Sequence, residues 1–319
     1  MTSSKNNLKG SLLLTLAAII WGSTFVAQEE AARFIGAFSL NFSRSFVGAA
    51  VLLPLAYIFK VLRERKSGQK EKLLSKTLII GGVCCGLALS VAANLQQFGI
   101  VFNAELASGD SGKAGFITAM YIIFVPFLSL LKGKKLRPSM IIAVIIGVVG
   151  LYFISVKQGF TVSSGDIVLF LCAIAFSLHI MVVDHFVSKV DPVALSAIQF
   201  LVVGVVSGIL MLIFEPQGLA LQNFANATIP ILYCGIMSSG IAYTLQLVCQ
   251  KITEPTVASL VMSLESLFAM VTACVFYSVL PTGREAIGCV LMMVAIFVVE
   301  TPFCDRFFQK IRVIKNAEV

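Results

Sequence analysis

Ten side chains able to bind, polarise or exchange protons stand inside long apolar runs: Trp21, Arg44, Asn94, Gln97, Tyr121, His179, Gln199, Tyr243, Gln246 and Glu265. An ionisable group in such a run costs about 2.5–3.5 kcal/mol on membrane-insertion scales, so each needs a reason. Glu265 lies about nine residues into its run, roughly 13 Å along a helix rising 1.5 Å per residue. It is either a cavity-facing carboxylate that takes a cationic group or carries a proton, or a structural carboxyl bonded to a neighbouring helix. Arg44 is the one basic residue inside any run. Its planar fork suits a carboxylate or a phosphate, and a structural tether is the equal alternative. Asn94 and Gln97 are three residues apart, as are Tyr243 and Gln246, so each pair shares one helical face. They line a cavity or bond helix to helix. Trp21 and Tyr121 supply aromatic walls or simple packing. For His179, whose imidazole titrates near neutrality in water, a buried hydrogen-bonded role is the better reading.

Other chemistries find no residues to carry them. The sequence has no HExxH, no GxSxG and no DxxxD, and Ser111-Gly-Lys-Ala114 lacks the upstream Gly and the Ser/Thr of a phosphate-binding loop. No catalytic residue, cofactor or ATP site is expected. Of eight cysteines, Cys84, Cys85, Cys172, Cys234, Cys249, Cys274 and Cys289 sit in or beside apolar runs and only Cys304 lies beyond them. Without a CxxC, and with only His179 and His185 as histidines, they read as small hydrophobes and no metal site is expected. The net charge of +8 is spread between apolar runs, which argues against a nucleic-acid partner.

The elements that must position these residues are membrane helices. Hydrophobic residues make up 58% of the 319 and charged ones 13%, against roughly 25% charged in a soluble domain. Runs long enough to cross a bilayer fall at about 11–28, 38–59, 77–98, 114–131, 138–156, 167–186, 192–214, 229–248, 256–279 and 286–302. The first could pass for a secretory signal, but its run continues through Trp21-Gly-Ser-Thr-Phe25 without a clean cleavage site. Taken loop by loop, 19 Lys and Arg fall on one side and 4 on the other. That asymmetry predicts ten crossings with both termini in the cytoplasm. The lipid bilayer is thus the first partner, in the plasma (inner) membrane.

The two halves repeat. An offset of 155 lays Gly10, Leu14, Leu16, Ala18 and Ile19 on Gly165, Leu169, Leu171, Ala173 and Ile174, and sets Arg44 opposite Gln199. An offset of 149 lays Cys85, Gly86, Ser90, Ala93 and Gln97 on Cys234, Gly235, Ser239, Ala242 and Gln246. Asn94 then falls on Tyr243; between the fourth and ninth runs, Tyr121 takes the place equivalent to Glu265. Five helices per copy is an odd number, so the second copy enters the membrane from the opposite side. The expected fold is an all-α membrane protein of ten transmembrane helices in two inverted five-helix repeats. Its organisation is a cytoplasmic N-terminus at 1–10, repeats at 11–156 and 157–302, and a cytoplasmic tail at 303–319.

Trp21-Gly-Ser-Thr-Phe25, the stretch from Lys113 to Pro126, and Ser263-Leu-Glu-Ser266 resemble EamA-type members of the drug/metabolite transporter superfamily over roughly residues 10–300. The resemblance implies a central cavity between the repeats and export or exchange of a small metabolite, an amino acid or similar polar solute. Family members often carry Pro after the Glu of helix nine, where this chain has Ser266. Alternating access, with protons as a candidate second cargo and Glu265 as their carrier, is the expected mechanism. A membrane-embedded enzyme, or a structural or receptor protein without transport, is the alternative. Gly204 and Gly208 form a GxxxG for close helix packing within one chain or in a homodimer.

The charge asymmetry makes a topology prediction. In a cysteine-free background, an impermeant thiol reagent added outside should label cysteines placed near Glu105 and Gln217, and leave one near Lys66 untouched. Labelling at position 66 from outside would overturn the orientation.

Overall fold

The computed structural model of the chain describes residues 2–70, 72, 74–106, 111–155, 163–216, 220–278 and 280–300; Gln217, Cys304 and the expected tail at 303–319 lie outside them. Among the described residues every regular element is helical. The first half comprises α1 (Thr2–Ala32), α2 (Ala37–Ser67), α3 (Lys76–Leu106), α4 (Ser111–Ala119), α5 (Tyr121–Leu131) and α6 (Pro138–Ser155). The second comprises α7 (Ser164–Val187), α8 (Pro192–Phe214), α9 (Leu221–Asn226), α10 (Thr228–Tyr233), a π stretch (Cys234–Ala242), α11 (Tyr243–Gln250), α12 (Pro255–Met262), α13 (Glu265–Phe276) and α14 (Gly283–Glu300).

Eight stretches among the described residues are long and apolar enough to cross a membrane: Lys9–Ala32, Ala37–Ser67, Lys76–Asn103, Lys113–Leu131, Ser164–Val187, Pro192–Phe214, Thr228–Gln250 and Pro255–Phe276. The expected fifth and tenth crossings fall on α6 and α14, which are not among the eight. Large apolar side chains such as Leu12, Tyr57, Leu131, Ile145, Leu212 and Phe297 stand exposed on the outside of the bundle. Lipid tails tolerate such a surface and water does not. The interior instead holds Ser, Thr, Gln and Asn among small apolar residues. The chain is therefore a multi-pass membrane protein.

Local chemistry sets the helix ends. Ser163 and Asp166 form a reciprocal capping box at the start of α7. Asp191 caps α8, its carboxylate accepting from Ala194 N at 2.8 Å, with Pro192 in the first turn, where a missing N–H costs least. At the other end of α8, Glu215 turns to α2 and accepts from Phe38 N at 2.9 Å and from Ser39 N at 2.8 Å. A carboxylate on those free N–H groups also meets the positive end of the α2 dipole. The opposite ends of the same two helices are joined by an ion pair, Arg63 to Asp191 at 2.7 Å.

The helix contacts map onto themselves when the halves are exchanged. α2 packs on α8 and α6 on α14. α3 lies along α7, as α1 lies along the helix made of α10, the π stretch and α11. α1 packs on α12 and α13, as α7 does on α4 and α5. The glycines of the GxxxG motif serve this packing within one chain, Gly204 against Phe46 and Gly208 against Phe42 of α2.

Two of the expected continuous helices are broken. The fourth stops at Ala119 and restarts at Tyr121; the ninth stops at Met262 and restarts at Glu265. At both breaks the backbone tightens to i→i−3 bonds, Met120 N to Ile117 O and Leu264 N to Val261 O, each 3.2 Å. The Ser263 hydroxyl adds a bond to Leu260 O at 2.7 Å, a local competitor for the helix ladder. The eighth helix is continuous but runs as a π-helix from Cys234 to Ala242.

Gly22 of the Trp21–Phe25 motif lies where α1 meets α13: a Cβ there would fall 2.6 Å from Ala269 N. Gly22→Ala should therefore destabilise the protein by about 1–3 kcal/mol. The check is the melting temperature of the purified protein in detergent, and an unchanged value would contradict so close an approach.

Candidate functional site

The breaks bring together the side chains that face one interior cavity. Trp21, Thr24, Phe25 and Gln28 on α1 fall at i, i+3, i+4 and i+7, one helical stripe. Thr118 and Tyr121 face it from either side of the first break, Met262 and Glu265 from either side of the second. Arg44 enters from α2, Gln96 from α3, Phe176 and Ile180 from α7, and Ser238, Tyr243 and Gln246 from the eighth helix. The lining is paired in place: Trp21 with Phe176 and Phe25 with Ile180 stand 155 positions apart, Thr118 with Met262 and Tyr121 with Glu265 stand 144 apart. It is unpaired in chemistry, since Glu265 and Arg44 have no charged counterparts in Tyr121 and Gln199.

Arg44, 2% exposed, donates from Nη1 to Gln28 Oε1 at 3.0 Å. Gln28 is held in turn, its backbone carbonyl accepting from Gln97 Nε2 at 3.3 Å. Gln96 Nε2 reaches Thr118 Oγ1 at 3.5 Å, and Gln246 donates to Gln250 Oε1 at 3.2 Å. The Trp21 and Tyr243 rings meet edge to face, centroids 4.9 Å apart. Tyr243 is near both Arg44 and Glu265. The Tyr121 hydroxyl stands beside the Glu265 carboxyl.

Two buried polar atoms on this lining, Trp21 Nε1 and Arg44 Nε, have no hydrogen-bond partner among the described residues, and Tyr121 OH and Glu265 Oε1 have none beyond each other. An unsatisfied buried donor or acceptor costs about 1–3 kcal/mol, and more when charged.

Of the ten residues singled out from sequence, six line the cavity: Trp21, Arg44, Tyr121, Tyr243, Gln246 and Glu265. The other four bind helix to helix. Asn94 accepts from Asn41 Nδ2 at 3.0 Å and donates to Ser207 Oγ at 3.1 Å, knotting α2, α3 and α8. Gln97 is spent on the Gln28 carbonyl. His179 Nε2 and Gln199 Oε1 meet at 2.9 Å, joining α7 to α8 behind Tyr243, whose ring the imidazole meets edge to face. Thr24, Gln28, Gln96, Thr118 and Ser238 also face the cavity without having been picked out from sequence. A helical stripe carried on from Trp21 would have found Thr24 and Gln28. Among the described residues no group of three His, Cys, Asp or Glu could hold a metal ion.

Comparison with known proteins agrees with this architecture. The model of the EamA-like transporter family matches the chain twice, over residues 8–156 and 163–301. A protein of Archaeoglobus fulgidus named an uncharacterized transporter is 25% identical over 293 residues, spanning 92% of this chain and 86% of its own. The uncharacterized transporter YoaV of Bacillus subtilis is 25% identical over 241 residues, spanning 74% of this chain and 77% of its own. A solved crystal structure superposes with a TM-score of 0.72 at 18% identity, covering 91% of this chain and 96% of that one, and shares the fold. The chain belongs to the EamA-like transporter family.

The guanidinium's geometry supplies a test. Arg44→Lys keeps the charge but not the planar fork. It should weaken the best ligand found in a thermal-shift screen by roughly tenfold, about 1.4 kcal/mol. The melting temperature without ligand should stay near that of the wild type; a variant that misfolds, or binds normally, would make Arg44 a tether.

Proposed function

We propose, with membership of that family as the premise, that the chain is a secondary transporter for a small polar metabolite, an amino acid or a solute like it, working by alternating access in export or exchange. The observation that carries this is a set of buried polar atoms around one interior cavity: Trp21 Nε1 and Arg44 Nε without a partner, and Tyr121 OH and Glu265 Oε1 without one beyond each other. A guest with acceptors for Trp21 and Arg44 would satisfy the first two, and a donor on it would join the Tyr121 hydroxyl at the Glu265 carboxyl. Arg44 and Glu265 on the same lining favour a guest with an anionic group and a cationic group. We read α6 and α14 as the fifth and tenth crossings, which makes the halves inverted copies at 11–156 and 157–302. Both termini then lie in the cytoplasm, at the plasma membrane.

Inverted halves explain why such a site sits between them. When each half adopts the other's shape, the cavity changes the side it opens to while the binding residues stay near the midplane. The broken helices suit that exchange. Each places its restart residue, Tyr121 or Glu265, on the lining at the start of a half-helix. Irregular backbone at this depth is tolerated only where protein buries it or a cavity meets it.

Glu265 is the group we assign to proton coupling. It is 5% exposed, at the break of the ninth helix, with the Tyr121 hydroxyl beside it. A carboxyl that alternates between holding a proton and holding the guest makes the two compete, which yields proton-driven exchange without ATP. Glu265→Gln mimics the protonated form. In proteoliposomes it should abolish uptake driven by a pH gradient and preserve guest binding. A wild-type flux indifferent to pH and to an uncoupler would sink the coupling and leave a facilitative carrier.

A further inference from the structure

We infer that Gln28 is a specificity-determining residue: it holds Arg44 in place without neutralising it, and so reserves the guanidinium charge for an anionic guest. The inference rests on the reading of Arg44 as the group that meets the guest's anionic end.

Three observations converge. Arg44 is nearly fully buried, and its hydrogen bond goes to a neutral amide, Gln28 Oε1 at 3.0 Å. Among the described residues no carboxylate forms an ion pair with it, although Arg33, Arg63, Lys113, Lys134 and Arg137 each have an acidic partner. A buried guanidinium without a counter-charge is a costly arrangement, retained where a charge must stay available. The second observation is what surrounds the pair. Glu29, the next residue on α1, is turned away toward Tyr277 at the end of α13. Tyr243 and Cys234, the other groups beside Arg44, are neutral as phenol and thiol. Glu265 lines the same cavity, where the Tyr121 hydroxyl stands beside it. The third is the anchoring of Gln28 itself. It is 3% exposed, and its backbone carbonyl is tied to Gln97 Nε2 at 3.3 Å, so α1, α2 and α3 converge on this one residue. Its amide oxygen occupies one Nη1 direction of the guanidinium and leaves Nε unpartnered on the cavity lining.

Glutamate at the same position has nearly the same shape and a full negative charge. It would pair with Arg44 internally and cancel the charge the guest must find. Stability and binding should then move in opposite directions, which a merely structural role for Gln28 would not produce.

The probes are the twenty L-amino acids and their carboxamides, measured by thermal shift on the full-length protein in detergent. The wild type should be stabilised by at least one free acid and much less by its carboxamide. In Gln28→Glu the melting temperature without ligand should equal or exceed that of the wild type, while affinity for that acid falls about tenfold or more. The preference for acid over carboxamide should vanish with it. A wild type that responds to none of the acids, or to acid and carboxamide alike, overturns the anion reading of Arg44 and this inference with it. A wild-type preference that Gln28→Glu keeps overturns the inference alone. Should Gln28→Glu fail to fold, Gln28→Leu decides: it removes the amide that holds Arg44, so a weakened preference for acid over carboxamide supports the assignment and an unchanged one overturns it.

Discussion

The hydrogen bond from Ser266 Oγ to the Gly115 carbonyl, 2.7 Å long and buried, ties together the two broken helices on which the cavity depends. Helices that stop in mid-membrane leave N–H and C=O groups without ladder partners, and lipid supplies none. Here the breaks are set against each other, with α13 packed on α4 and on α1. The residue after Glu265 is the serine that makes this tie; a proline there would have no hydroxyl to offer Gly115. The tie joins the helix that starts at Glu265 to the one that ends just before Tyr121.

Around that constraint the cavity is symmetric in position and asymmetric in chemistry. Equivalent positions supply an acid and a phenol, an indole and a phenyl, a hydroxyl and a thioether. Arg44 with Gln28 and Gln199 with His179 show the same division. Each joins the second helix of a half to the first, yet only the first pair brings a charge to the lining.

Much of this was legible in the sequence because membrane helices declare themselves through apolar length and the duplication through matched letters. Glu265 and Arg44 stood out because a charge in lipid is costly. The breaks were not legible: neither Met120 nor Leu264 is flanked by the Pro or Gly that usually marks an interruption, and the tightening depends on packing between distant segments. The π stretch was hidden for a related reason. Cys85, Gly86, Ser90 and Ala93 occupy a regular helix, and the matching Cys234, Gly235, Ser239 and Ala242 a π-helix, so identical spacing reports two geometries. Gln97 drew attention because it aligned with Gln246, while its neighbour Gln96 turned to the cavity. One residue is about 100° around a helix, and alignment does not supply the angle.

Glu215 has a consequence for how the protein is made. The carboxylate that completes the start of α2 lies 177 positions after Phe38, on the far end of α8. A ribosome adding roughly 5–20 residues per second needs on the order of ten to thirty seconds to cover that interval. Through that time the nascent α2 sits in the bilayer with its first N–H groups met only by water or lipid head groups. The first half is thus made early but completed late, when the end of α8 arrives.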